Sequence, residues 1–326
     1  MQTLFYDTPA AARTAYEAQA LPVLHKIVSA KSTSPGVSCQ RCKIAGCCSA
    51  LERIDGFLGQ AHRGHATRSV SARDLEIYEK CPAQWHLTSA NLPTESESSS
   101  ASERGRKIHT WLAMTHMSNR GCSPGGIDSS DGSSAPSIDE EEYSEVRDYI
   151  FQHVNSCALG QGARVIASEA PIYGYDAKAD VIIASKPDLL YIDSDETFVI
   201  RETKTTTLDI PQNANEAFDK FFSIPWLLNL FASGYRGPYQ SENARLELEV
   251  LTPEEGRVFT WDLSDSGLLR MAKAEVRLRA RAWHRDTTWS STPGAHCKWC
   301  PVRQWCPDAS TAGEADEYDA ERAPGR

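Results

Sequence analysis

The segment KPDLLYIDSDETFVIRETK, residues 186–204, carries two short runs of β-branched and aromatic residues on either side of Ser194, Asp195 and Glu196. Such runs, bounded by turn-forming residues, read as a β-hairpin. If Asp193 pairs with Thr197, Asp188 falls opposite Glu202, and residues so opposed have Cβ atoms about 4.5–5.5 Å apart. Lys204, two positions beyond Glu202, projects to the same face. Two carboxylates and an ammonium therefore converge. A slip of one residue in the register would send Asp188 to the other face.

Charged side chains are almost never fully buried unless paired or bound to something. Two carboxylates at hairpin distance repel, and a buried pair stays ionised only where a cation compensates. Mg²⁺ or Mn²⁺ suits oxygen ligands and commonly retains waters for use in phosphate chemistry. Lys204 beside such an ion is placed to position a water and to stabilise charge on a phosphate oxygen. The expectation is a hydrolytic phosphodiesterase site; an E-x-K taken alone reads rather as an ion pair on a sheet edge, and the aspartate opposite it brings the two readings level.

The surrounding chain changes from helical to strand-like periodicity. Helices are expected over about 8–30, from Ser71 (an N-cap with Asp74 three positions on) through CPAQWHL at 81–87, over 104–117, and over 139–158. Residues 93–103 and 119–137 are polar or Gly/Ser/Pro-rich and read as loops. Beyond them ARVIASEAPIY (163–173), ADVIIAS (179–185), the hairpin, RLELEVLT (245–252) and RVFTWDL (257–263) read as strands. A helix with its start or a kink near Pro225 lies between the hairpin and the last two. The acidic tail 309–326 reads as disordered.

At 326 residues the chain can bury a sizeable core. No apolar run reaches bilayer-spanning length and no secretion leader is visible, so a cytoplasmic protein is expected. A formal net charge of −10 requires any polyanion to meet a locally basic surface. In LLRMAKAEVRLRARAWHR (268–285), Arg270, Lys273, Arg277 and Arg281 recur at helical spacing and are a candidate DNA-binding face; a solvated helix face is the plainer alternative. Ten cysteines in a reducing compartment are metal ligands or buried thiols rather than disulfides. Cys39, Cys42, Cys47 and Cys48 form a candidate Zn²⁺ site, with His62 and His65 available to complete it, whereas Cys122 and Cys157 read as non-ligands. The C-x2-C-x5-C at Cys297, Cys300 and Cys306 supplies three thiolates and needs a fourth; spacing leaves an iron–sulfur cluster and zinc both open.

The order of these features resembles the PD-(D/E)XK nuclease superfamily, in particular its RecB/AddB-type branch with an iron–sulfur cluster, which includes CRISPR adaptation nucleases. A helix ending in Cys81-Pro82, a G-x-x-x-H helix at Gly105 and His109, Asp188 on one strand, Glu202-x-Lys204 on the next, and HCKWCPVRQWCPD at 296–308 follow that branch's sequence over about residues 69–308. The resemblance implies an α/β, restriction-endonuclease-like core with a mixed central sheet flanked by helices. An N-terminal helical extension (1–68) precedes it and a C-terminal Cys-rich segment closes it. It implies His109, Asp188 and Glu202 as Mg²⁺ or Mn²⁺ ligands, Lys204 as catalytic, and Cys81, Cys297, Cys300 and Cys306 as [4Fe-4S] ligands, which the distance of Cys81 from the other three also favours over zinc. One departure stands out: where the branch carries Q-x-x-x-Y, this chain has Leu227 and Phe231.

The function so implied is a metal-dependent DNA nuclease, an exonuclease or single-strand-preferring enzyme of recombination, repair or defence, acting on single-stranded DNA or DNA ends. The alternatives are a non-catalytic DNA-binding or scaffold subunit that retains the fold, and a zinc-ribbon interaction protein. With no G-x-x-x-x-G-K-[ST] loop, a helicase partner would be a separate chain. Lys186 and Arg201 are further candidates for phosphate contact.

Overall fold

A computed structural model describes residues 8–29, 34–94, 100–117, 122, 144–235 and 243–309. The chain divides into two units, 1–35 and 36–326. In the first, Thr8 caps helix α1 (Pro9–Ala15), its hydroxyl accepting the Ala11 N–H at 3.1 Å. The helix continues through a π-helical turn, Tyr16–Ala20, into α2 (Leu21–Ser29).

The second unit is built on two mixed sheets. One runs β3 (Arg164–Ser168), β6 (Leu189–Ile192), β7 (Phe198–Thr205), β8 (Ala244–Leu251), β9 (Gly256–Asp262) in spatial order. The other runs β1 (Glu52–Arg53), β4 (Ile172–Asp176), β5 (Val181–Ser185), β2 (Arg68–Val70). β7 and β8 are parallel, which demands a crossover. Helices α7 (Ala214–Lys220) and α8 (Ser223–Ala232) supply it, separated at Phe221 with Pro225 in the first turn of α8. One face of the five-stranded sheet buries Leu190, Ile200, Leu246 and Leu248 against α7 and α8. The other buries Tyr191 and Val199 against α5 (Ser100–Met117) and α6 (Arg147–Ser156). Helices α3 (Ala72–Lys80), α4 (Pro82–Ser89), α8 and α9 (Ser266–Arg285) cover β2 and β5. This is the mixed-sheet α/β fold with flanking helices that the sequence implies. Among the described residues no helix is long and apolar enough to cross a membrane.

Several elements differ from expectation for local reasons. The helix from Ser71 has the anticipated capping box with Asp74, but it breaks at Cys81, whose φ of −160° and ψ of 106° are the extended backbone that a following proline favours. The run 163–173 is two strands in different sheets, divided at Glu169, whose φ of 54° lies in the left-handed region. Residues 100–103, read as loop, are the first turn of α5. The helix expected over 139–158 is described as Arg147–Ser156. The tail from 310 and, apart from Cys122, the loop 119–137 lie outside the described residues.

β7 carries charge on both faces. Arg201, expected to meet phosphate, is instead 4% exposed and donates through Nε and Nη2 to Glu247 at 2.8 and 2.6 Å. Glu247 also accepts from the Tyr191 hydroxyl at 2.8 Å and from Arg245 Nε at 2.8 Å. Burial alone would raise the Glu247 carboxyl, but the two guanidiniums hold it below its ordinary range. Its stabilisation is therefore fully present above the unfolded-chain value of about 4.3 and is lost as pH falls through the folded one. Glu247→Gln removes both close hydrogen-bonded charge contacts of Arg201 and leaves it only Glu249, 3.9 Å away, so urea unfolding at neutral pH should give a loss of about 3 kcal/mol. An unchanged midpoint would show that the pair contributes nothing to the fold.

Candidate active site

The β6–β7 hairpin has the predicted register, with Leu189 opposite Arg201 and Ile192 opposite Phe198. Its turn closes with Asp193 N–H to Thr197 O at 3.0 Å, and Glu196 takes the left-handed conformation (φ 60°) common in three-residue loops. By the alternation of an antiparallel ladder, residues 187 and 203 would exchange the next pair of hydrogen bonds. Pro187 has no N–H, and β6 begins only at Leu189. The Asp188 side chain takes over, its Oδ2 accepting the Thr203 N–H at 2.6 Å. Its main-chain carbonyl accepts the Glu169 N–H at 3.0 Å and the Ser168 hydroxyl at 3.2 Å. Asp188 is thus fixed at both ends, beside the strand that carries Glu202 and Lys204.

Helix α5 brings His109 to the same place: Nδ1 lies 2.9 Å from Asp188 Oδ1 and 3.5 Å from Glu169 Oε1. Lys204 Nζ donates to Glu202 Oε1 at 2.6 Å, and Lys186 pairs with the second oxygen of Glu169. His109 and Asp188 form one pair and Glu202 and Lys204 another, joined where Asp188 accepts the N–H of Thr203, the residue between Glu202 and Lys204. Glu169 is the member that sequence reasoning missed. Its signal was an acid two residues before Pro171 inside an apolar run, where the single expected strand divides.

Within the cluster the carboxylates and the cations offset one another. Burial opposes a charged His109, but hydrogen bonds to Asp188 and Glu169 outweigh it and push the imidazole up to about 10. Burial likewise opposes Lys204, and the Glu202 and Asp188 carboxylates carry it up to about 12. Burial raises Glu202 above its ordinary value despite Lys204. For Glu169 the balance goes the other way, His109 and Lys186 holding it down to about 2. One ligand atom from each of His109, Glu169 and Asp188 lies within 4.8 Å of the other two, so these three side chains could hold a metal ion. Glu202 is turned towards Lys204 instead.

The cluster lies along a cleft of about 980 Å³ whose lining includes Arg73, Arg106, Lys186, Ser223, Trp226 and Leu227. Ser223 Oγ and Trp226 Nε1 are buried polar atoms with no protein partner. The basic residues predicted on α9 do not line this cleft. Arg277 reaches the Gly56 carbonyl at 2.7 Å, its stem lying over Gly59, where φ is 64° and a β-carbon would come within 2.6 Å of it. Arg270 and Arg281 are exposed.

Of the cysteines, Cys81, Cys297, Cys300 and Cys306 line one small cavity. Burial pushes the Cys300 thiol up, as do the neighbouring Cys297, Cys81 and Cys306. Among the described residues Cys39, Cys42, Cys47 and Cys48, the candidate zinc ligands, do not bring one sulfur each within 4.8 Å of one another. Cys39, Cys42 and Cys48 pack on Ala45, Leu51 and Tyr173, while Cys47 is exposed and donates to Ile44 O at 3.3 Å. His62 stands instead 3.6 Å from Asp180, and His65 packs edge-on against His284. Cys122 and Cys157, read as non-ligands, are buried beside His116 and His153.

The charge balance has a direct check. In protein freed of divalent cations, the His109 imidazole followed by NMR should remain protonated through pH 8, and Glu169→Gln should lower its pKa. Titration at the ordinary value of about 6.5 would mean that the carboxylates do not face it.

A search of curated proteins finds no match. Among solved structures, SSO0001 is 14% identical, with 78% of this chain and 92% of that one covered at a TM-score of 0.32. A protein from Eubacterium rectale named "Putative exonuclease" is 10% identical, with 65% and 78% covered at a TM-score of 0.38. Likeness at these TM-scores carries no argument about function. The model of the PD-(D/E)XK nuclease superfamily, by contrast, matches residues 69–307, from the strand before α3 to the last of the C-terminal cysteines, and the chain belongs to that superfamily.

Proposed function

We propose that this chain is a deoxyribonuclease that hydrolyses phosphodiester bonds where His109, Asp188, Glu202 and Lys204 meet at the cleft. The observation that carries this reading is the hairpin register that sets Asp188 beside Thr203, between Glu202 and Lys204, with His109 2.9 Å away. The donor set, one imidazole with carboxylate oxygens, suits Mg²⁺ or Mn²⁺. His109, Asp188 and Glu202 would hold the ion, which when bound offsets phosphate charge and lowers the pKa of water.

The remaining roles belong to the chain's own groups. Lys204, pushed up to about 12, is an ammonium at neutral pH; one N–H goes to Glu202 and the others are available to a non-bridging phosphate oxygen. Glu169, tied to Lys186, holds His109 towards Asp188. His109 must give up a proton to become a ligand, so cation affinity rises with pH below its titration. Arg73, Arg106 and Lys186 line the cleft where a phosphate backbone would run, and Trp226 and Ser223 offer donors in place of the absent Q-x-x-x-Y. The exposed Arg270 and Arg281 of α9 would meet DNA away from the scissile bond. Such a cleft suits a single strand or a DNA end, presented by a separate helicase or partner in recombination, repair or defence.

Cys81, Cys297, Cys300 and Cys306 would hold a [4Fe-4S] cluster that clasps the α3–α4 junction to the C-terminal segment. Four thiols lining one cavity fit this donor set. Tetrahedral zinc with Zn–S of about 2.3 Å brings its sulfurs within about 3.8 Å of each other. Among the described residues these four sulfurs are not all within 4.8 Å of one another, a looser grouping than tetrahedral zinc takes.

Degradation of a labelled oligonucleotide with Mn²⁺ should fall by about 10²–10⁴-fold in Lys204→Ala. Persistence would assign the activity to a contaminant or another site, and cation binding without cleavage in the parent would favour the scaffold alternative. Gly105 gives a second check. A β-carbon there would meet only Thr205 Oγ1, at 3.6 Å, so packing does not require glycine in α5. Gly105→Ala should stabilise the fold by up to about 1 kcal/mol and yet slow cleavage, by filling space along the cleft. Unimpaired cleavage would place the substrate elsewhere.

A further inference from the structure

Behind the cleft, on the opposite face of the five-stranded sheet, His116 on α5, His153 on α6, Cys122 and Cys157 form a second grouping, with ligand atoms all within 4.8 Å of one another. All four are buried, His116 at 3% and His153 at 0% exposure, in a cluster with Trp111, Ile150 and Leu251. The two Nε2 atoms face each other at 3.1 Å, and Cys157 Sγ lies 4.0 Å from His116 Nε2. His153 Nδ1 donates to both oxygens of fully buried Glu249, at 2.8 and 3.0 Å. That bond fixes the tautomer, leaving the Nε2 lone pair directed at the other three donors.

We propose that these four residues are a structural Zn²⁺ site. Zn–N of about 2.0–2.1 Å in a tetrahedron sets nitrogens about 3.3 Å apart, and two nitrogens with two sulfurs is a recurrent closed zinc set. The carboxylate behind one imidazole is the usual second partner of a zinc-bound histidine. Glu249 also accepts the Thr203 hydroxyl at 3.1 Å. The ion would therefore tie α5, which carries His109, to β8 and through Thr203 to β7, which carries Glu202 and Lys204.

Elemental analysis of the full chain should find one zinc per molecule, and X-ray absorption should find two nitrogen and two sulfur neighbours. Cys157→Ala and His153→Ala should lose it, while Cys39→Ala and Cys297→Ala retain it. Because a core variant could misfold, the absorption spectrum of the unaltered protein stands as the independent arm. No zinc, an all-sulfur shell, or a Cys122–Cys157 disulfide found by mass spectrometry would overturn the site.

A separate observation concerns the N-terminal cysteines. Gly36–Cys48 repeats the backbone of Gly294–Cys306 at a constant offset. Cys39, Cys42 and Cys48 share the C-x2-C-x5-C spacing of Cys297, Cys300 and Cys306. The 3-10 turns Val37–Arg41 and Ala45–Cys47 match Ala295–Trp299 and Arg303–Trp305. Ile44 and Val302 share φ/ψ of −112°/19° and −111°/19°, and Cys42 and Cys300 share −74°/113° and −75°/117°. The hydrogen bonds correspond: Cys39 N–H to Gly36 O and Cys297 N–H to Gly294 O, at 2.8 and 2.9 Å, and Cys48 N–H to Ala45 O and Cys306 N–H to Arg303 O, at 3.1 and 3.0 Å. The Gly36 N–H also points at Cys39 Sγ, 3.3 Å away.

We infer that Cys39, Cys42 and Cys48 hold a second iron–sulfur cluster, with Cys47 outside the ligand set and the fourth position left to a non-cysteine ligand. This rests on the reading of the C-terminal loop as a cluster cradle. Iron and acid-labile sulfide should fall in Cys39→Ala/Cys42→Ala and, separately, in Cys297→Ala/Cys300→Ala, but not in Cys47→Ala. Iron unchanged in the first double variant alone would overturn this inference, as would its loss in Cys47→Ala. Unchanged iron in the second double variant would overturn the parent reading.

Discussion

The site depends on one hydrogen bond, from the Thr203 N–H to the Asp188 carboxylate, made where Pro187 prevents the β6–β7 ladder from continuing. A backbone donor that the sheet cannot satisfy is costly to leave unpaired. Here it is met by a side chain that already belongs to the candidate site. The same bond fixes Asp188 relative to Glu202 and Lys204, because its donor is the residue between them. Local strand chemistry and site geometry are therefore one constraint, and neither can be altered without the other.

Thr203 also joins the two faces of the sheet. Its N–H serves Asp188 on the cleft side, and its hydroxyl serves Glu249, which faces His153, Ser156 and Arg201 behind. Charges on β7 and β8 are buried in pairs on one face and gathered round the cleft on the other. Paired burial is the condition under which such groups persist in a core. The arrangement ties the central strand to its neighbours on both faces beside the candidate site.

Much of this was legible in the residues. The hairpin register followed from the turn, the α3 cap from Ser71 and Asp74, and a helix between the hairpin and β8 from the apolar run around Pro225. What was hidden depended on tertiary contact. Glu169 gave no periodic signal, because it acts from a single left-handed residue between two sheets. Arg201 read as a phosphate contact because strand alternation does not say which face is buried. On α9, helical spacing does not reveal that Arg277 is engaged by the Gly56 carbonyl while Arg270 and Arg281 stay exposed. His116 and Cys122, like His153 and Cys157, are close in sequence, but the two pairs are not, and only the fold brings the four together.

The proposed hydrolysis requires that the Asp188, Glu202 and His109 side chains form a single divalent-cation site beside Lys204. Anomalous diffraction from crystals grown with Mn²⁺ tests it most directly. One strong peak is expected between the His109 imidazole and the Asp188 and Glu202 carboxylates, lost in Asp188→Asn. A peak elsewhere, or none with His109 still paired to Asp188 at saturating Mn²⁺, would contradict it.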